Sequence, residues 1–261
     1  MKSFRWPTGI ATALLFAFLY APLLVVVLFS FNASRFGTGW HGFTLQWYRA
    51  LWENNLALDA AKNTLLLAAA STGISTVLGT MLGVGLARRF RGAGLVQRAL
   101  YLPVFIPDVV LAASLLLFLG LLRRWTGWFE LGLMTMVLAH VTFQIPFVAI
   151  VVRARMSGMD PSLEEAARDL GATPAQVFRH VTLPLLVPGV LAAALLAFTL
   201  SLDDFVVSFF TSGPGSTTLP ILIYSSVKRG ITPDINALSA LLVLAAAAGT
   251  VLVTWLRRKV P

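Results

Sequence analysis

The feature that most restricts this chain is a succession of six apolar runs. Each matches or exceeds the roughly 20 residues that a bilayer's hydrocarbon core demands of a helix. They fall at residues 10–31, 61–87, 99–122, 131–152, 185–210 and 235–256. A spanning segment must satisfy its backbone N–H and C=O groups without water, which leaves only helices and closed barrels. Runs of this length predict helices. The expected fold class is therefore all-α: a polytopic membrane protein with six transmembrane helices in a single domain over 1–261. Charged residues make up 12% of the chain, against about 25% in a soluble domain. Mean hydropathy is +0.82.

The first run follows a short basic leader with Lys2 and Arg5. Its length and the lack of a small-residue cleavage site point to a retained anchor, kinked at Pro22. A loop with Trp40, Trp47, Tyr48 and Trp52 follows, and Thr44 is placed to cap a short helix that carries aromatic rings to the membrane interface. In the second run Gly73, Gly79, Gly83 and Gly85, with Ser and Thr between them, make a small-residue face for close helix packing, Gly79-x-x-x-Gly83 included. Gly213-Pro214-Gly215 marks a turn before an amphipathic piece at 219–227, and Thr232-Pro233 opens the sixth run.

With zero cysteines there are no disulfides or thiolate metal sites. The net charge of +9 raises the question of nucleic acid. However, the basic residues sit at the ends of apolar runs, not along one face, so topology accounts for them and no nucleic acid is expected. Six spans put both termini on one side. Of the 20 Lys and Arg residues, all but Arg35, Arg49, Lys62, Arg123, Arg124, Lys228 and Arg229 fall on the side of the termini. The positive-inside rule makes that side the cytoplasm, together with the polar connection 160–184.

That connection is polar, helix-forming and free of anything catalytic. Ser162 and Glu165 fit a capping box, and Gly171 ends or bends the first helix. A second short turn is expected over 175–180, giving a knob of two short helices. On its residues alone it reads as an ordinary polar loop. Its spacing nevertheless resembles the EAA motif of ABC importer permeases. Glu165-Ala166-Ala167 is followed after three residues by Gly171, and after nine more by Val181-x-Leu183-Pro184. Val181 replaces the usual Ile. The resemblance implies that this helix docks in a groove of a cytoplasmic ATPase, with Glu165, Ala166, Ala167, Gly171, Leu183 and Pro184 as the coupling residues.

Carboxylates inside hydrocarbon cost at least ~2.5–3.5 kcal/mol and read as functional. There are three: Asp108, Asp203 and Asp204. No intramembrane Lys or Arg neutralises them, so a pathway lined by them favours a cation; one carboxylate–ammonium pair at 4 Å is worth ~4 kcal/mol at an effective dielectric of 20, before desolvation. In an unbroken helix Asp204 shares a stripe with Ser201, Ser208 and Thr211, which makes it the lining residue. Asp203 then points away, toward a neighbouring helix. A local break in the fifth helix reverses that assignment. Asp108 and His140 fall at similar depth and can pair with each other, while His140 and Gln144 share a face. A metal role has no second ligand cluster and is set aside.

Segments 21–36, 107–117, 138–148, 198–220 and 235–244 also resemble the spermidine/putrescine branch of these permeases. The similarity implies a type I importer (MetI-like) fold in the bacterial inner membrane. It further implies a second homologous permease subunit, two copies of an ATPase and a periplasmic polyamine-binding protein. Asp108, Asp203 and Asp204 match acidic positions of that branch. On this resemblance the chain is a non-catalytic transport subunit with no cofactor of its own, ATP and Mg being bound by the ATPase. An ABC permease for another small solute and a stand-alone secondary transporter are the alternatives, the latter without the internal repeats that such folds carry.

Overall fold

A computed structural model describes residues 5–34, 39–88, 91–229 and 234–245. Described residues outside turns and irregular segments are helical, apart from one isolated bridge between Asn32 and Phe43. In chain order the helices are α1 (Arg5–Phe29), α2 (Gln46–Glu53), α3 (Asn55–Ala87), α4 (Ala93–Phe105), α5 (Asp108–Thr126) and α6 (Leu133–Ser157). Then come α7 (Ser162–Asp169), α8 (Pro174–Val177), a π turn (Phe178–Thr182), α9 (Leu183–Asp203), α10 (Val206–Thr211) and α11 (Leu219–Arg229). The last, α12, is Asp234–Ala245.

Five helical stretches are long and apolar enough to cross a membrane: Thr8–Phe29, Asn55–Ala87, Asp108–Thr126, Leu133–Ser157 and Pro174–Asp203. Of the sixth expected run only α12 is described; 246–256, the basic tail at 257–259, Lys2 and Thr232-Pro233 lie outside the described residues. Two boundaries differ from the sequence reading. The run expected at 99–122 is divided between α4 and α5, because Ile106 precedes Pro107 and is held extended (φ −73°, ψ 134°). The run expected at 185–210 breaks after Asp203, where Asp204 is extended (φ −65°, ψ 123°).

The chain divides into two compact units, Met1–Leu58 with Leu222–Pro261, and Asp59–Ile221. In the first, Asn32 organises the loop after α1. Its side chain donates to the Gly39 carbonyl at 2.8 Å and accepts from the His41 N–H at 2.9 Å. Its carbonyl accepts from the Trp47 indole at 2.8 Å, which ties α2 to the end of α1. Thr44 does accept from the N–H of Gln46, at 3.2 Å, at the start of α2.

In the second unit α6 is the most buried helix and the hub of the packing. Lipid gives apolar side chains no reason to leave it, so close van der Waals packing has to hold the helices together. Glycine supplies it on the α3 side. A Cβ on Gly79 would sit 2.6 Å from Val148 Cβ, and one on Gly83 would sit 2.8 Å from the Ala149 carbonyl oxygen. The Gly79-x-x-x-Gly83 face is therefore spent inside the chain. On the other side Ala193 and Ala197 of α9 bring it against Val148 and Val152.

Candidate functional site

The connection from α6 to α9 forms the two-helix knob. Its first helix starts one residue earlier than the capping-box reading requires. Pro161 already has helical angles (φ −62°, ψ −26°), and no side chain caps α7 from that position. Asp160 does the work in place of Ser162, its carboxylate accepting from the Ser162 N–H at 3.0 Å. Hydrogen bonds from Ser162 hold the Asp160 carboxyl below the usual carboxylate range. Gly171 ends α7 with φ +85°, a conformation that costs a side chain about 1–2 kcal/mol. Gly171 N–H bonds back to the Arg168 carbonyl at 2.8 Å and Ala172 N–H to that of Ala167 at 3.1 Å, the Schellman pattern.

Thr173 then opens α8 with a reciprocal cap: its N–H donates to the Gln176 side-chain oxygen at 2.8 Å, and its hydroxyl accepts from the Gln176 N–H at 3.4 Å. Pro184 has no N–H to donate and its ring crowds the carbonyl four residues back. The backbone widens just before it, Leu183 N–H reaching the Phe178 carbonyl five residues back.

The first helix of the knob is bare. No residue of α7 is buried, and Leu170 at its tip is 89% exposed. Glu165 is exposed as well, and its side chain makes no hydrogen bond to a described residue. Glu164, which the motif does not single out, is the anchored one. Thr182 donates to its Oε1 at 2.7 Å, and Arg168 donates to its Oε2 at 3.0 Å.

Farther along α6 and α9 runs a buried chain of polar groups, built from side chains spaced at helical intervals on α3, α6 and α9. Ser75 donates to Gln144 Oε1 at 2.8 Å. Gln144 Nε2 donates to the Ala197 carbonyl at 3.1 Å and to Ser71 Oγ at 3.2 Å. Ser71 donates to Ser201 at 3.3 Å, and Ser201 lies 2.8 Å from His140 Nδ1. His140 Nε2 is 3.0 Å from Ser208 Oγ and 3.3 Å from Asp204 Oδ2. With its proton on Nε2 the ring donates toward Asp204, and Nδ1 then accepts from Ser201. The sequence carried this signal weakly, as Ser71 and Ser75, and His140 and Gln144, each at i, i+4.

The three acids separate. Asp204 sits in the break between α9 and α10, its side chain 13% exposed. Its oxygens accept from the N–H groups of Val207 (3.3 Å) and Ser208 (2.7 Å), capping α10. The stripe of Ser201, Asp204 and Ser208 thus packs on His140 of α6. The expected pairing of His140 with Asp108 gives way to this arrangement, because the break turns Asp204 inward. Asp203, the last residue of α9, is exposed, as is Asp108 in the first turn of α5. Ala112, one turn beyond Asp108, packs in the same apolar cluster as Val207, so the Asp108 and Asp204 ends meet around one core. Among the described residues no group of His, Cys, Asp or Glu is placed to hold a metal ion.

Residues 75–260 match the family described as binding-protein-dependent transport system inner membrane component. The chain is 45% identical over 242 residues to the putrescine transport system permease protein PotI of Escherichia coli (strain K12), covering 91% of this chain and 86% of that one. It is 42% identical over 237 residues to the spermidine/putrescine transport system permease protein PotC of the same organism, covering 90% and 88%. Among solved structures it superposes with TM-score 0.78 and 22% identity on a chain of a bacterial ABC transporter that imports the acidic polysaccharide alginate, covering 98% of this chain and 96% of that one. With several long apolar helices in its sequence and family membership over most of its length, the chain is a multi-pass membrane protein that belongs to the inner membrane components of binding-protein-dependent transport systems.

Proposed function

We propose that this chain is one transmembrane subunit of an ATP-driven importer and that its cargo is a polyamine such as putrescine or spermidine. The observation that carries the proposal is the bare first helix of the knob, Ser162–Asp169. A helix with no buried residue, ended by a left-handed glycine and tipped by an exposed leucine, is built to be covered by another protein. The partners are a dimeric ATP-binding cassette ATPase, a second homologous permease subunit and a periplasmic polyamine-binding protein. The ATPase dimer binds ATP and Mg and does the hydrolysis; this chain is not an enzyme. Both termini and the knob face the cytoplasm, as the distribution of Lys and Arg favours.

Closure of the ATPase dimer pulls on the knob, rocking α9 and its neighbours between inward- and outward-open states. A cation handed over from outside passes the acids. In this reading the exposed Asp203 and Asp108 face cargo, while Asp204, bonded to His140 and to the start of α10, holds the break in place. Cargo names of the two relatives support a polyamine, and acids without a nearby intramembrane cation agree with it. The direct test is co-expression with the neighbouring ATPase, permease and binding-protein genes, followed by ATP-dependent uptake of labelled putrescine and spermidine into proteoliposomes. Uptake at full rate by the chain alone, without nucleotide, would refute the proposal. ATP-dependent uptake that putrescine and spermidine fail to compete would leave the importer and remove the cargo.

A further inference from the structure

The two adjacent glutamates at the start of the knob have opposite surroundings. Glu165 is exposed and unengaged among the described residues. The Glu164 side chain is 19% exposed and meets three elements at once. Within α7, its Oε2 is 3.0 Å from Arg168. Its Oε1 accepts from Thr182 at 2.7 Å, and Arg88, the residue after α3, lies 4.0 Å away. Thr182 is fully buried and closes the π turn from which α9 rises. α7 contributes no buried side chain, so apolar packing does not fix its position. The load falls on polar contacts, and a hydrogen bond to a charged group is the strongest kind available.

We propose that Glu164 is the tie that transmits movement of the knob into α9, through Thr182, and into the end of α3, through Arg88. It is a positioning residue: it touches neither cargo nor nucleotide. The two neighbouring glutamates divide the labour, Glu165 facing outward and Glu164 holding the knob to the helices that must move. This rests on the importer reading above. It also makes a statement that reading does not contain, namely that an assembled complex lacking the tie spends ATP without moving cargo.

The test uses the assembled complex in proteoliposomes and measures ATPase retention, ATP hydrolysis and cargo moved per ATP. Glu164→Leu, close in size but without an acceptor, and Thr182→Val should keep the ATPase and lose about tenfold in cargo per ATP, the scale of one hydrogen bond to a charge. Thr182→Ser keeps the hydroxyl and should stay within about twofold of the unaltered complex, whereas Glu164→Gln keeps an acceptor for Thr182 but not the charge and should fall between Glu164→Leu and the unaltered complex. The Glu164→Leu/Thr182→Val double variant should be no worse than the poorer single, because both remove one contact. A general loss of structure would not be rescued by Gln or Ser. Unchanged cargo per ATP in Glu164→Leu with ATPase retained, or additive losses in the double variant, overturns the tie and leaves the importer reading standing. If the unaltered chain retains no ATPase, the importer reading falls and the tie falls with it.

Discussion

His140 Nε2 lies 3.3 Å from Asp204 Oδ2, and the imidazole is wholly shielded from solvent. The pair joins the middle of α6 to the point where the helix after the knob is interrupted. Its other contacts, Ser201 before the break and Ser208 after it, clamp both sides of the interruption onto one ring. This places the most polar part of the unit where a backbone already departs from regular helix.

Removing the ring should loosen that clamp. His140→Phe, which keeps the volume and deletes both nitrogens, takes one hydrogen-bond partner each from Ser201, Ser208 and Asp204. A cost of about 1–3 kcal/mol follows from unpaired buried polar groups. The thermal midpoint of the purified complex should fall accordingly. An unchanged midpoint would show that water or another group replaces the ring at no cost.

Asp203 and Asp204 should respond differently to the same change. Asp203→Asn is expected to raise the KM for a polyamine with little effect on the thermal midpoint of the complex. Asp204→Asn keeps a capping oxygen for α10 but loses the charge that faces His140, and is expected to lower the midpoint by about 1 kcal/mol, the difference between a charge-assisted and a neutral hydrogen bond. Uptake kinetics and thermal unfolding on both variants separate the two; identical profiles would contradict the division of roles.

Close approach of α3 to α6 leaves no room at Gly83. Gly83→Val puts a branched side chain where a Cβ alone meets the Ala149 carbonyl oxygen at 2.8 Å. Backbone must shift, at about 1–3 kcal/mol. Membrane-embedded yield and detergent stability should drop, while Gly85→Val, with open space around its Cβ, should be tolerated.

Gly171→Val is strained by the positive φ whatever space surrounds it. The ending of α7 is disturbed by about 1–2 kcal/mol, and ATP-dependent uptake should fall while membrane insertion is kept. Normal uptake in this variant would separate the glycine's conformation from coupling.

The start of α7 should depend on pH through Asp160. Its carboxyl is held below the usual range by Ser162, so the cap is present above the ordinary carboxylate pKa and is lost as pH falls through the depressed value. The protection of the Ser162 amide, its exchange rate compared with the intrinsic rate at each pH, should be highest near neutral pH and fall in acid, and Asp160→Ala should show low protection at both. Protection that does not change with pH in the unaltered chain would dissociate the cap from ionisation.

Much of this architecture was legible in the residues. Apolar length announces a helix in a membrane because nothing else satisfies the backbone there, and Gly171 announces a left-handed turn. What stayed hidden depended on breaks. The stripe of Ser201, Asp204 and Ser208 was drawn on a continuous helix, and one extended residue turned it toward α6. Pro107 divided a run that hydropathy alone joins. Glu164 was half visible: its i, i+4 pairing with Arg168 shows in the spacing, but Thr182 and Arg88 are far from it in sequence and nothing there marks them as its partners. The buried line from Gln144 to Asp204 was half visible, since i, i+4 spacing shows which residues share a face but not which neighbour that face meets.

The widened turn at Phe178–Thr182 fits one more residue into its loop than ordinary helical winding allows. Winding that surplus residue into regular α geometry would swivel α8 by about 100° relative to α9 around their shared axis. The orientation of the cytoplasmic tip is thus set by a count of residues as well as by side-chain chemistry. Shortening this stretch by one residue removes the surplus without turning either flank, whereas lengthening it by one does not.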